Sequence, residues 1–508
     1  MDARKHMIII KGEIKTSEIQ SCKYNSNTQK MDVKFSNGKT YSYAYSNVEW
    51  LKNPDVLNPD MYRISREKRK FFNIKSIYVF KGACTSYWHI CFGDGSARDY
   101  RENDLDIVES CLVQEQAANV FEYIKQLATL SDIKNEVTGE IILYKLFQTI
   151  SFLGYDIALA KYLNPSFMEI NKIQHEYIPI FPFGCNNSQY MAVKRAMEEQ
   201  ISVIQGPPGT GKTQTILNII ANILMQGKTV QIVSNNNSAT ENVYEKLASE
   251  KYGLGFVVAT LGNAENKKEF IKQQDANYPD FSSWRTEKDQ DILQNEILQK
   301  STELKDVFDK QERLAVLKQE YSQLITELQY FNQYLAETDV EIDNIKFIKK
   351  MTSKHWLEIW QECEAVSEKK RKIGILFKIN AFLKYGIVDF NLYKQDIAKV
   401  ITTFQVMYYK TREMEILEEF ESIDRFLNKV NKNLLDELCL QSMVILKDKL
   451  ARKYKGDKRR IIFTEEDLWK ASNEVLQEYP VILSTTFSSK SSLNSDVIYD
   501  YLIMDEAS

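Results

Sequence analysis

The chain has 508 residues, more than one hydrophobic core supports, so roughly two to four domains are expected. Its 44% hydrophobic and 27% charged residues are those of an ordinary folded chain, and a net charge of −4 excludes a globally basic field, so any nucleic-acid surface has to be a local patch. Seven scattered cysteines without a C-x-x-C pair, and four histidines without ligand spacing, argue against a disulfide scaffold or a zinc centre and fit a reducing, cytoplasmic setting.

Residues 1–110 read as β. "MDVKFSNGKTYSYAY" alternates Val33 and Phe35 ahead of an Asn37-Gly38 turn, and "WHICFGDGSARDY" repeats the design with Ile90, Phe92 and Asp94-Gly95. Phe35/Phe92, Gly38/Gly95 and Tyr43/Tyr100 share one offset of 57 residues, which predicts two related β units. The first unit also resembles the small KTSC-type β domain. The N-terminal "MDARKHMIIIKGEIK" has only three consecutive Ile, too short an apolar core for a secretory signal. Residues 111–180 turn helical and form a connector.

Next comes a change of rhythm. "ISVIQ" (201–205) predicts a short buried strand, "GKTQTILNIIANILMQG" a helix closed by Gly227, and "TVQIVS" another strand, the βαβ unit of a parallel sheet. Between 266 and 470 that alternation stops. Leu314, Leu317, Tyr321, Leu324, Leu328, Phe331 and Leu335 alternate spacings of three and four, a heptad seam. A second run around Leu417, Phe420, Phe426, Leu427, Val430 and Leu434 is expected to return beside it, making an antiparallel helical hairpin. Within it, "IGILFKINAFLKYGIV" (373–388) is the most apolar stretch. It is too short to span a bilayer and is interrupted by Lys378 and Lys384, so a buried or interfacial helix is expected and no membrane partner. A basic run, Lys447 to Arg460, either touches phosphates or forms a solvated helix face. Strand character resumes at "PVILSTT" and "YDYLIMDEAS".

Two of these stretches carry chemistry. "GPPGTGKT" supplies Gly206, Pro207, Pro208, Gly209, Thr210, Gly211, Lys212 and Thr213 in the pattern G-x-x-x-x-G-K-[ST]. Backbone N–H groups of such a loop converge on phosphate oxygens, and glycines permit that path. Lys212 is expected to reach the β- and γ-phosphates of ATP and Thr213 to ligate Mg²⁺, with Gln214 completing the ATP-binding set. A phosphate loop also needs a carboxylate at a neighbouring strand end. In "LIMDEAS", Asp505 would hold the metal through water and Glu506 would polarise the attacking water.

The order "NNSQYMAV", "GPPGTGKT", "VSNNNSATENVYEKL", "VILSTTFSS", "DEAS" resembles superfamily 1 helicases of the nonsense-decay and Okazaki-nuclease (Upf-like) type. The resemblance implies that Gln189 reads adenine. It also implies that Asn235, Asn236, Thr485 and Thr486 contact a single strand of DNA or RNA. It further implies a fold: an α/β, RecA-like domain (181–265 and 471–508) interrupted by the helical insertion (266–470). That family's motor closes ATP between two such domains, and everything found here belongs to the first. The chain is therefore expected to be the N-terminal part of a helicase or translocase, inactive in turnover by itself. The competing readings are an ATPase switch that moves the insertion, and a non-catalytic binder of nucleic acid or of a protein partner through the β region or the insertion. Ring-forming AAA+ ATPases share the loop but place their acidic motif close by, whereas about 290 residues intervene here. Chromosome-maintenance ATPases carry an LSGG-type signature that this sequence lacks.

Overall fold

The computed structural model describes the chain except residues 135–137, 167–176, 178, 236, 339–344, 370–371, 455–458, 495–496 and 507–508. It divides into two units, 1–173 and 174–508.

In the first unit, one pairing pattern occurs twice. The first set is β1 (His6–Ile10), β2 (Glu13–Ile14), β3 (Ile19–Asn25), β4 (Lys30–Phe35), β5 (Thr40–Ala44) and β6 (Val48–Lys52). After β7 (Asp55–Leu57) the second set is β8 (Tyr62–Arg66), β9 (Arg69–Lys70), β10 (Ile74–Lys81), β11 (Ser86–Phe92), β12 (Ala97–Arg101) and β13 (Asp106–Glu109). β1 pairs with β2 and β6 as β8 pairs with β9 and β13, and β3-β4-β5 form a meander as β10-β11-β12 do. Each first hairpin carries its register shift at the same place, Ile19/Ser21 and Ile74/Ser76, after which Cys22 faces Val33 and Ile77 faces Ile90. Those inward residues are the apolar half of the alternation, and they form the two small cores. Helices α1 (Glu115–Ala128), α2 (Ile142–Gln148) and α3 (Ala158–Leu163) close the unit around Phe121, Leu153 and Leu163.

The second unit holds α4 (Asn187–Glu198), α5 (Lys212–Met225), β14 (Val230–Ser234), α6 (Asn237–Ala248), β15 (Val258–Thr260) and α7 (Ala264–Gln273). Seven helices follow: α8 (Gln290–Thr338), α9 (Ser353–Glu368), α10 (Ile375–Asn380), α11 (Ile397–Leu427), α12 (Leu434–Tyr454), α13 (Asp467–Lys470) and α14 (Ser472–Glu478). Strands β16 (Val481–Thr485) and β17 (Tyr501–Asp505) then complete a parallel sheet of order β15-β16-β14-β17. α5 is buried from Thr215 to Leu224, because the sheet lies on one side and α12 on another.

The stretch 201–205 does not form the expected buried strand. It has no ladder partner, and Val203 is 82% exposed. An apolar pentapeptide is fixed as a strand only by pairing. The outer edge of β17, the next place in the sheet, carries no partner among the described residues.

The long helices divide their work. At about 1.5 Å per residue, the 49-residue α8 is roughly 74 Å long. Its first half, with Leu293, Ile297 and Leu304, belongs to the α/β core together with Leu438 and Ile445 of α12. Only its outer half uses the heptad seam, where Leu317 and Leu324 meet Ile416 and Ile423 of α11. The return row is Tyr409, Ile416 and Ile423 with Leu427 of the expected run beside it, while Leu417 is exposed. Seven-residue spacing puts that row, one position from the expected one, on the facing side. Arg313 donates two bonds to Glu419 at 2.7 and 2.8 Å, and Arg412 reaches Glu320 at 2.6 Å, so charge flanks the seam. Beyond it, α9 and α11 enclose Trp356, Ile359 and Phe404.

Residues 373–388 form α10 and a π-turn, Ala381–Tyr385, half turned into that outer core and half exposed. No helix among the described residues is long and apolar enough to cross a membrane. The basic run does not form a solvated face throughout. Arg460 is buried, donates to Glu478 at 2.6 Å and stacks on Tyr479, with 455–458 outside the described residues.

Candidate nucleotide-binding site

The phosphate loop sits where α5 begins. α5 runs back to the start of β14, and the Tyr501 hydroxyl, at the start of β17, donates to Gln226 at the far end of that helix. The first turn of α5 therefore lies at the carboxyl end of the strands, the end where β17 delivers Asp505. Strand register fixes the rest. Ser234 of β14 faces Thr485 on one side and Asp505 on the other, so three strand ends share one row.

The loop's own bonds are few. Lys212 Nζ donates to the Gly206 carbonyl at 3.1 Å, and the Thr210 hydroxyl donates to the Pro207 carbonyl at 2.8 Å. No side chain caps the N-terminus of α5, which leaves its first N–H groups and the positive end of its dipole directed at the loop. Gly211 holds φ +86°, a conformation that demands glycine, and a Cβ there would also have to displace the Gln189 amide, 2.2 Å away.

Gln189 is buried and hydrogen-bonded through both ends of its amide. Its oxygen accepts from the Asn186 N–H at 2.9 Å, closing a capping box at the start of α4. Its amide nitrogen donates to the Gly211 carbonyl at 3.1 Å and to Gln214 Oε1 at 3.2 Å. Gln189 thus ties α4 to the loop. Gln214 in turn donates to the Phe183 carbonyl.

Two residues that the sequence reading passed over do the same work one and two turns on. Asn218 and Asn222, both fully buried in α5, hold the incoming segment. Asn218 accepts from Phe183 N–H and donates to the Gly184 carbonyl at 2.8 Å. Asn222 accepts from Ile180 N–H and donates to the Ile180 carbonyl, both at 2.8 Å, while the Tyr177 hydroxyl donates to Asn222 Oδ1 at 2.9 Å. The signal was present: two asparagines four apart inside an otherwise apolar helix have to find buried partners. Beside them, burial pushes the Cys185 thiol up to about 12, which leaves it protonated and unreactive.

At the strand ends, the Thr486 hydroxyl donates to Asn235 Oδ1 at 2.8 Å, and Thr486 N–H to the Ser234 carbonyl at 3.2 Å. Thr485 Oγ1 accepts from Ser488 N–H at 3.1 Å. Asn235, Thr485 and Thr486 are therefore neighbours, while Asn236 lies outside the described residues. Glu506 takes φ +56°, unusual for a side chain of its size, and its N–H bonds Asp505 Oδ1 at 3.1 Å. Glu506 is exposed. Among the described residues no hydrogen bond or ion pair joins Asp505 or Glu506 to the loop.

The donors suit Mg²⁺–nucleotide. The Thr213 hydroxyl and the Asp505 carboxylate are hard oxygen ligands of the kind Mg²⁺ takes in small number, the remainder coming from phosphate and water. The uncapped α5 N-terminus and Lys212, which among the described residues donates to the Gly206 carbonyl, suit phosphate oxygens.

A family model described as an AAA domain matches residues 184–508, across both motifs and the helices between them. An uncharacterized ATP-dependent helicase of Mycoplasma pneumoniae, the MG140 homolog, is 37% identical over 99 residues, 20% of this chain and 8% of that protein. The Drosophila melanogaster regulator of nonsense transcripts 1 homolog is 43% identical over 63 residues, 12% of this chain and 5% of its own. The DNA polymerase alpha-associated DNA helicase A of Schizosaccharomyces pombe is 34% identical over 87 residues, 17% and 13% respectively. The chain thus matches only a small part of the length of each of these relatives.

Proposed function

The chain belongs to the AAA-domain family, in its Upf-like superfamily 1 helicase branch, and we propose that it binds Mg²⁺–ATP at the carboxyl end of the β14–β17 sheet and that, together with the second such domain which that family's motor uses, it couples ATP hydrolysis to movement along single-stranded DNA or RNA. One observation carries this reading: the uncapped start of α5, with Lys212, opens at the same sheet end as Asp505, in the row Thr485–Ser234–Asp505.

In the proposed reaction, loop N–H groups and Lys212 hold the β- and γ-phosphates. Thr213, and Asp505 through water, would hold Mg²⁺, which would supply charge neutralisation. Glu506 accepts a proton from the water that attacks the γ-phosphorus, the β–γ bond breaks, and ADP and phosphate leave. Gln189 acts by positioning the loop backbone. Asn235, Thr485 and Thr486, at the adjoining strand ends, are the proposed grip on the nucleic-acid backbone. The helices between β15 and β16 are read as an insertion into this domain, and the duplicated β region as a recognition or assembly module.

A second reading is favoured by one set of contacts. Asn187 donates to Glu312 of α8 at 2.8 Å, and the Tyr190 and Ser301 hydroxyls meet at 3.1 Å. α4, tied to the loop by Gln189, is thereby tied to the base of α8, so a change in the loop would reach the outer helices. ATP would then drive a switch rather than translocation. ATP turnover with and without single strands, followed by a strand-displacement assay, both with a second motor domain supplied, separates the two. Strand-stimulated turnover that falls about 10²–10⁴-fold in Glu506→Gln supports the proposed site. Turnover unchanged in that variant and in Lys212→Ala would place the chemistry elsewhere.

A further inference from the structure

α10 and the π-turn behind it are apolar on two faces, although only one has a protein neighbour. Phe377, Ala381 and Tyr385, four apart, pack into the outer core around Trp356 and Phe404. The other row, Ile375, Ile379 and Leu383, with Leu376 beside it, faces solvent. Ile375 is 75%, Leu376 84% and Leu383 63% exposed. A helix packed on one side ordinarily turns polar residues outward; this one turns out four aliphatic side chains, and Ile348 on the adjoining segment is exposed as well. The charges around them are mostly basic. Among the described residues Lys369, Lys372, Lys378 and Lys384 fall between 369 and 388, and Lys349 and Lys350 lie on the adjoining segment, against Glu368 and Asp389 at the two ends. Glu358 and Glu362 of α9 face Lys384 at 3.1 and 3.4 Å, which leaves the rest of the cluster cationic.

We propose that this outer end of the helical segment is a docking surface for an anionic lipid bilayer, with Ile375, Leu376, Ile379 and Leu383 entering the acyl boundary and the lysines meeting the headgroups. Short aliphatic side chains beside lysines are the composition of interfacial helices. A nucleic-acid backbone would satisfy the lysines but leave the aliphatic row in water. A second copy would set lysines against lysines. Anionic lipid satisfies both halves at once. Such binding is peripheral, consistent with the lack of a membrane-crossing helix among the described residues.

The test is co-flotation of the 508-residue chain with vesicles of phosphatidylcholine alone, or with phosphatidylglycerol as about a third of the lipid. Binding should be at least about tenfold stronger to the anionic vesicles, and Leu376→Glu/Leu383→Glu should lose at least about tenfold of it. Both positions are exposed, so thermal unfolding of the variant should match the parent. Lys372→Glu should give a smaller loss that high salt abolishes. Failure to float with anionic vesicles, or flotation unaffected by the double substitution, overturns the proposal. So does release from vesicles by a single-stranded oligonucleotide together with unchanged flotation of the double variant, which would assign the lysines to nucleic acid.

Discussion

Strands β14 and β17 lie side by side in one sheet, in register, and end in the two polar groups that face each other, Ser234 and Asp505. β14 is buried at every position, whereas β17 alternates, with Leu502 56% and Met504 59% exposed. Both sequences are apolar, VQIVS and YLIMD. Burial here is set by neighbours: β14 has a strand on each side and α5 across it, and β17 is paired on one edge only. The candidate site is thus built half on the rigid centre of the sheet and half on its open edge. Centre residues should govern folding, and edge residues should govern chemistry at little cost to stability.

The largest effect should come at the centre. Ile232→Lys buries an unpaired charge in the middle of the core and should prevent folding, with loss of the cooperative thermal transition. A folded Ile232→Lys variant would remove the contrast between the two strands.

Leu324→Asp tests whether the outer helices stand apart from that centre. It should cost the outer seam about 3–5 kcal/mol, seen as lost hydrogen-exchange protection in α8 beyond 310 and in α11, with β14 and β16 still protected. Equal loss in the sheet would show one cooperative core. Asn222→Ala leaves the Ile180 N–H and carbonyl buried without their partner and should destabilise by about 2–4 kcal/mol in denaturant unfolding. A change below about 0.5 kcal/mol would mean the loop's approach is held by other contacts.

At the edge the signs separate. Met504→Lys should change stability by less than about 0.5 kcal/mol, since the side chain is exposed. A large loss would show that this edge is covered in the folded chain, for instance by residues 201–205.

Much of this was legible from residues alone. The phosphate loop, the α5 helix closed at Gly227, the strands at 230 and 481, and the paired hairpins at Gly38 and Gly95 follow from local pattern, and local forces decide them. Three features depend on contacts the pattern does not encode. Residues 201–205 have strand composition but no partner strand. The return row of the seam is 409-416-423 because helix rotation, not composition, chooses which apolar residues face inward. Gln189 matches a nucleotide-reading position by sequence, but its bonds to Asn186, Gly211 and Gln214, which only the fold brings together, are not encoded in that match. Asn218 and Asn222 were readable as buried polar residues, but their partners lie some 35–42 residues earlier in the chain.

The most direct test of the nucleotide site is equilibrium binding of a fluorescent ATP analogue, with Mg²⁺, to the parent chain, Lys212→Ala and Glu506→Gln. Charge-assisted bonds to phosphate are worth about 1.5–3 kcal/mol, so Lys212→Ala should bind roughly 10–150-fold more weakly, while Glu506→Gln, which keeps every phosphate and metal contact, should bind like the parent. Parent-like affinity in Lys212→Ala would contradict the assignment of this loop as the nucleotide site.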